Sequence, residues 1–279
     1  MRTILLGCIC LFSLPFMLAF EAIESEPNEQ AELNLQLKDE EIAFLFFDIP
    51  NGEATLIKTT EHSILVGTGS NDSIQALQKR LTKFHINHID TIILPRFEDE
   101  YAGNTHALIE RFHVRNVIVP AEGKEMALKE FDKEGVEISG WEEGGHDNLI
   151  PNLLVEVLPG IQTLTPNLSM DINFKGHHVL IASEANEHLE KKWLPSLNKI
   201  NVLKVAEFGL SKEMSQSFLD IIDPQVAILF AKENSQPNPQ ILERMQETWI
   251  DTYQTRQNGT ILIKANANDY KLITIHFKD

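Results

Sequence analysis

The sequence predicts an α/β protein built as an αββα sandwich, two sheets face to face with helices outside. Three observations predict it. Short apolar runs of strand length alternate with amphipathic segments of helical period through residues 63–138. The alternation returns after residue 201. Paired strand-and-turn signals precede the first series and follow the second.

The elements follow in order. Ile42–Phe47 reads as a strand, Asn51-Gly52 as a turn, and Ala54–Ile57 and Ser63–Val66 as two more strands. Asp72 with Gln75 three residues on predicts a capping box, opening a helix whose apolar face is Ile74, Leu77, Leu81 and Phe84. Ile92–Leu94 is a short buried strand stopped by Pro95. A charged turn, Arg96-Phe97-Glu98-Asp99-Glu100, leads to a helix carried by Leu108, Ile109 and Phe112. A core strand that runs into a charged turn and a helix is where α/β proteins place chemistry. That turn has no His or Cys between Asp90 and Thr105.

Asn116–Val119 then predicts a strand, Lys124–Phe131 a helix, Val136–Ile138 a strand and Gly140–Asn148 a loop. Leu153–Leu158, Ser169–Phe174 and His178–Ile181 predict strands, Ala185–Trp193 a helix and Asn201–Val205 a strand. Ser211 opens a helix with Met214, Phe218, Ile221 and Ile222 inward, stopped by Asp223-Pro224. Val226–Phe230 is a strand. Asn238-Pro239 caps a helix with Ile241, Leu242 and Met245 inward. Asn258-Gly259 predicts a tight hairpin and Leu272–Phe277 the closing strand.

The chain has 279 residues, 43% of them hydrophobic, enough for a substantial core. Its net charge of -17 repels phosphate backbones and disfavours nucleic-acid partners. Both cysteines, Cys8 and Cys10, lie in the first twenty residues, so no thiolate site can form beyond them. Residues 1–20 combine Arg2 with an apolar run from Thr3 to Phe20 and read as a signal peptide or membrane anchor. Residues 21–41 are an acidic linker whose single base is Lys38. Residues 42–279 form the folded domain. The expected location is extracellular, or the outer face of a membrane held through the N-terminal segment. The histidines, among them His85, His88, His106, His113, His177 and His178, read as surface or packing residues, with the last two at a turn.

Several segments fall in a recognisable order. They are Phe47-Asp48-Ile49-Pro50-Asn51-Gly52-Glu53-Ala54, Ile64-Leu65-Val66-Gly67-Thr68-Gly69, Asn167-Leu168-Ser169, Leu203-Lys204-Val205 and Gln236-Pro237-Asn238-Pro239-Gln240-Ile241-Leu242-Glu243-Arg244. Together they resemble the metallo-β-lactamase fold, and more closely the extracellular hydrolase-like domain of the ComEC DNA-uptake family. That resemblance implies a site for two metal ions, but the metal-binding motifs are degenerate. The family's His-x-His-x-Asp-His falls on Arg96 to Tyr101, its Gly-Asp on Ser183-Glu184, and its His-His-Gly on Glu207-Phe208-Gly209. Gly67 stands where an Asp is usual.

The resemblance thus sets Arg96, Glu98, Glu100, Tyr101, Ser183, Glu184, Glu207 and Phe208 at the degenerate site. Three readings of its acids stay open. Glu98, Glu100, Glu184 and Glu207 converge on a hard cation (Ca²⁺, Mg²⁺ or Mn²⁺), or Arg96 neutralises them with Tyr101 adding a hydrogen bond, or the pocket is open and the acids are solvated. The expected function is a catalytically inactive binding or structural domain with no cofactor and an unknown protein or small-molecule partner. The alternative is a phosphodiesterase-like, metal-dependent hydrolase with a carboxylate-rich site.

Overall fold

The computed structural model describes residues 33–131, 134–160, 165–184 and 186–277. The leader, most of the acidic linker and Ala185 lie outside the described residues. The strands are β1 (Ile42–Phe46), β2 (Thr55–Lys58), β3 (Ser63–Val66), β4 (Thr91–Ile93), β5 (Asn116–Pro120), β6 (Glu137–Trp141), β7 (His146–Ile150) and β8 (Leu153–Val157). They continue with β9 (Met170–Phe174), β10 (His177–Ile181), β11 (Val202–Lys204), β12 (Val226–Leu229), β13 (Asp251–Gln254), β14 (Thr260–Ala265) and β15 (Tyr270–Ile275). The helices are α1 (Ile74–Lys83), α2 (Asp99–Ala102), α3 (Thr105–Phe112), α4 (Lys124–Phe131), α5 (Glu187–Trp193), α6 (Gln216–Ile222), α7 (Pro239–Glu247) and α8 (Thr255–Asn258).

An eight-stranded sheet runs β15-β14-β1-β2-β3-β4-β5-β6, and a seven-stranded sheet runs β13-β12-β11-β10-β9-β8-β7. The apolar runs explain the layering. Ile42, Phe44 and Phe46 of β1 face the space between the sheets, while Ala43 and Leu45 face the outer helices. A strand buried on both faces needs an unbroken apolar run rather than alternation. Ile172, Val179 and Ile228 close the middle layer from the second sheet. Leu77, Leu81, Leu108 and Phe112 seat α1 and α3 on the first sheet, and Trp193, Phe218 and Met245 seat α5, α6 and α7 on the second. The predicted sandwich is therefore present. Among the described residues, no helix is long and apolar enough to cross a membrane.

Several local expectations are corrected. α1 begins at Ile74 behind a 3-10 turn at Asn71–Ser73, and Ser73, not Asp72, occupies its cap position without a side-chain hydrogen bond. The expected loop at Gly140–Asn148 shrinks because β6 extends to Trp141 and β7 begins at His146. His177 and His178 open β10 directly after the Lys175-Gly176 turn. α6 starts at Gln216, where the Ser215 side chain accepts from the Phe218 N–H, and Ile221 faces outward, 58% exposed. Asn258-Gly259 forms no hairpin. It ends the helical turn α8, and β13 and β14 on either side belong to different sheets. The Asn238 cap holds, its side chain accepting from the Gln240 N–H with Pro239 opening the helix.

Candidate functional site

Four parallel strands run out toward one end of the sandwich, and the chain after each supplies the site. β4 leads to Arg96, β10 to Ser183 and Glu184, β11 to Glu207, and β12 to Lys232. Loops at the carboxyl ends of parallel strands are where open α/β sheets gather functional groups.

Arg96 is the hub. Its Nη2 donates to Glu98 Oε1 at 2.7 Å and its Nε to Glu98 Oε2 at 3.1 Å. This is the two-pronged fit of a planar guanidinium on a carboxylate. Its Nη1 donates to the Ser183 carbonyl at 3.2 Å and to Glu207 Oε1 at 3.4 Å, so it ties the two sheets together. The guanidinium carbon lies 5.3 Å from the centre of the Tyr101 ring. Tyr101 thus meets the arginine with its ring face, a cation–π contact in place of the expected hydrogen bond.

Burial works against the Arg96 charge, but Glu98, Tyr101 and Glu207 outweigh it and hold the group protonated. Burial also raises the Glu98 carboxyl, yet the Arg96 hydrogen bond leaves it below the usual range.

The other acids separate. Glu100 turns to Lys232, 2.7 Å away, and that hydrogen bond lowers its pKa. Glu184 accepts from Asn167 Nδ2 at 2.6 Å. Burial and then the nearby Glu207 raise its pKa, against opposing pulls from Arg96 and Asn167. Ser183 is fully buried; its N–H donates to Ser169 Oγ and its hydroxyl to the Leu168 carbonyl. The Asn167-Leu168-Ser169 segment is therefore the brace for the Ser183-Glu184 turn.

Glu207 and Phe208 adopt left-handed backbone, with φ of 50° and 60°. Each such non-glycine residue costs about 1–2 kcal/mol. Packing holds the turn: the Phe208 ring is 5.6 Å from Tyr101 and 5.3 Å from Lys232 Nζ. Gly52, at φ 102°, backs the site from the other side; a Cβ there would lie 2.4 Å from the Glu100 carbonyl oxygen.

Sequence reasoning placed Arg96 but missed two lysines, Lys204 and Lys232, and one acid, Glu53. Lys204 Nζ donates to Glu53 Oε2 at 2.5 Å, and both side chains are buried. Burial pushes Glu53 up and Lys204 down, each held back in part by the other. The signal was a lysine between Leu203 and Val205 in a core strand. Lys232 carried no local signal.

These donors do not fit a pair of transition-metal ions. The side chains gathered around Arg96 are carboxylates and aromatic rings with no imidazole among them, and the guanidinium already occupies the carboxylates around it. Among the described residues, no group of three or more His, Cys, Asp or Glu is placed to hold a metal ion.

No family model matches the chain. Among curated proteins, ComE operon protein 3 of Bacillus subtilis is 24% identical over 196 residues, which cover 65% of this chain and 25% of that protein. The chain thus spans about a quarter of the length of this relative.

Among solved structures, the metallo-β-lactamase fold protein YhfI of Bacillus subtilis matches with a TM-score of 0.58 at 11% identity, covering 83% of this chain and 99% of that one. Igni18, a metallo hydrolase from Ignicoccus hospitalis, matches at 0.56 and 13%, covering 85% and 100%. A mutant of the CmlA β-hydroxylase matches at 0.58 and 10%, covering 82% of this chain and 54% of that one. One scaffold thus carries different chemistries, and the site must be read on its own residues. The chain has the metallo-β-lactamase fold, and its sequence is similar to a segment of ComE operon protein 3.

Proposed function

We propose that this chain is a non-hydrolytic metallo-β-lactamase-fold domain, held at the outer face of a membrane by its N-terminal segment and acting in binding or structure. One observation carries the reading. The Arg96 guanidinium grips Glu98 at 2.7 and 3.1 Å and reaches Glu207 and the Ser183 carbonyl. A cation tethered to the protein thus offsets the charge that a bound ion would offset, and it activates no water. The resemblance to the extracellular domain of the ComEC family supports an exported setting, and the apolar run from Thr3 to Phe20 supports the anchor. The partner is a protein or small molecule rather than nucleic acid, in keeping with the net charge of -17.

The test is turnover of a chromogenic bis-phosphodiester by the purified full chain with Mn²⁺ or Zn²⁺. The expected rate equals that of metal in buffer. Turnover abolished by Glu98→Ala and by Glu207→Ala overturns the reading and favours a hydrolase with an altered, carboxylate-rich site.

A further inference from the structure

We infer that the end of the sandwich opposite Arg96 lies against a zwitterionic bilayer surface, with Trp249 and Ile221 as its lipid contacts. This rests on the membrane-anchored reading above and adds which face of the domain meets the lipid.

The chain enters the fold at that end. The Leu33 N–H donates to the carbonyl of Lys83, at the close of α1. β1 then starts where β2 ends and β3 begins, since Ala43 pairs with Lys58 and Lys58 with Ser63. The second sheet starts at the same end. Lys175 reaches Glu40 at 3.0 Å, His177 Nε2 meets the Asn266 carbonyl at 2.8 Å, and the Tyr270 hydroxyl donates to Gln225 Oε1 at 2.8 Å. Residues 21–32 separate the apolar leader from Leu33, and twelve residues span at most about 40 Å. The chain enters the fold at this end, which puts a bilayer holding the leader within reach of it.

Two large apolar side chains stand exposed here. Trp249 is 92% exposed and Ile221 58%. Ile221 lies in the last turn of α6 just before β12, and Trp249 follows α7 just before β13, and these two strands pair side by side. The Trp249 turn is fixed: its N–H donates to the Gln246 carbonyl and the Ile250 N–H to the Met245 carbonyl. An indole carried on a hydrogen-bonded turn suits the headgroup level of a bilayer, where one edge is wet and the other apolar. Lys199 Nζ lies 2.6 Å from Asp223, while the exposed acids Asp220, Glu247 and Asp251 flank the two apolar side chains. The acidic balance of the chain selects zwitterionic over anionic lipid.

The experiment reconstitutes the full chain into phosphatidylcholine vesicles with and without bromine-labelled acyl chains. Flotation reads anchorage; tryptophan quenching reads the face. The expected result is flotation of the wild type, with a bromine-quenched emission component that Trp249→Phe removes and Ile221→Asp diminishes. Trp193, fully buried, contributes no quenched component. Flotation without quenching of Trp249 overturns the assigned face and leaves the anchor intact. A chain that does not float overturns the anchor and this inference with it.

Discussion

Lys204 Nζ donates to Glu53 Oε2 at 2.5 Å across the space between the two sheets, and neither side chain is reached by solvent to more than 4%. The second carboxylate oxygen of Glu53 is buried with no hydrogen-bond partner in the structure. The pair lies beneath the site, where the charges of Arg96 and Glu207 act on both members. Leaving one member of a buried pair uncompensated costs more than losing both.

Lys204→Met is therefore expected to lower unfolding free energy by about 3–5 kcal/mol, and Lys204→Met with Glu53→Gln to recover most of that loss. Urea unfolding of the three proteins checks it. Equal losses in the single and double variants would contradict the pairing.

How much of this could be read beforehand differs by level. The sandwich was legible because its strands are buried on both faces, so Ile42–Phe46 and Ser63–Val66 carry apolar runs that no loop would carry. The Asn238 cap was legible because its partner lies two residues away. The charge pairing was not. Glu100 meets Lys232, and Glu53 meets Lys204, only once two sheets have packed. Ile221 misled because helical spacing places it beside Ile222, while Phe218, Leu219 and Ile222 set the buried face of α6 and leave Ile221 outside it. The capping box at Asp72 failed because a 3-10 turn moves the cap of α1 one residue on, to Ser73.

His178 gives a pH test. Its Nδ1 lies 2.7 Å from Asp171 Oδ2 on β9, and that hydrogen bond raises its pKa above the ordinary 6.5, against burial. A raised folded-state value means the charged form is favoured by folding. The stabilisation is complete below pH 6.5 and is lost as pH rises through the higher folded value. Melting temperature followed from pH 6 upward should fall more steeply in the wild type than in His178→Gln. Parallel curves would contradict it. His106, raised by Glu130 and Glu134, titrates in the same direction and stays in both proteins.

Arg96→Ala removes the cation from between Glu98 and Glu207 and leaves Glu184 nearby without its opposing pull. Uncompensated carboxylates with a backbone carbonyl form an oxygen-rich set suited to hard cations. Calorimetry with Ca²⁺ and Mn²⁺ should show no heat in the wild type and saturable binding in Arg96→Ala, lost again on adding Glu207→Gln. Binding in the wild type, or none in the variant, would contradict the role given to Arg96.

The most direct measurement is elemental analysis of the wild-type chain purified without chelators. With Arg96 serving as the cation among the site carboxylates, zinc, manganese and iron should stay at the level of the buffer blank. Any of them present in stoichiometric amount, and removed by Glu98→Ala with Glu207→Ala, would contradict the account.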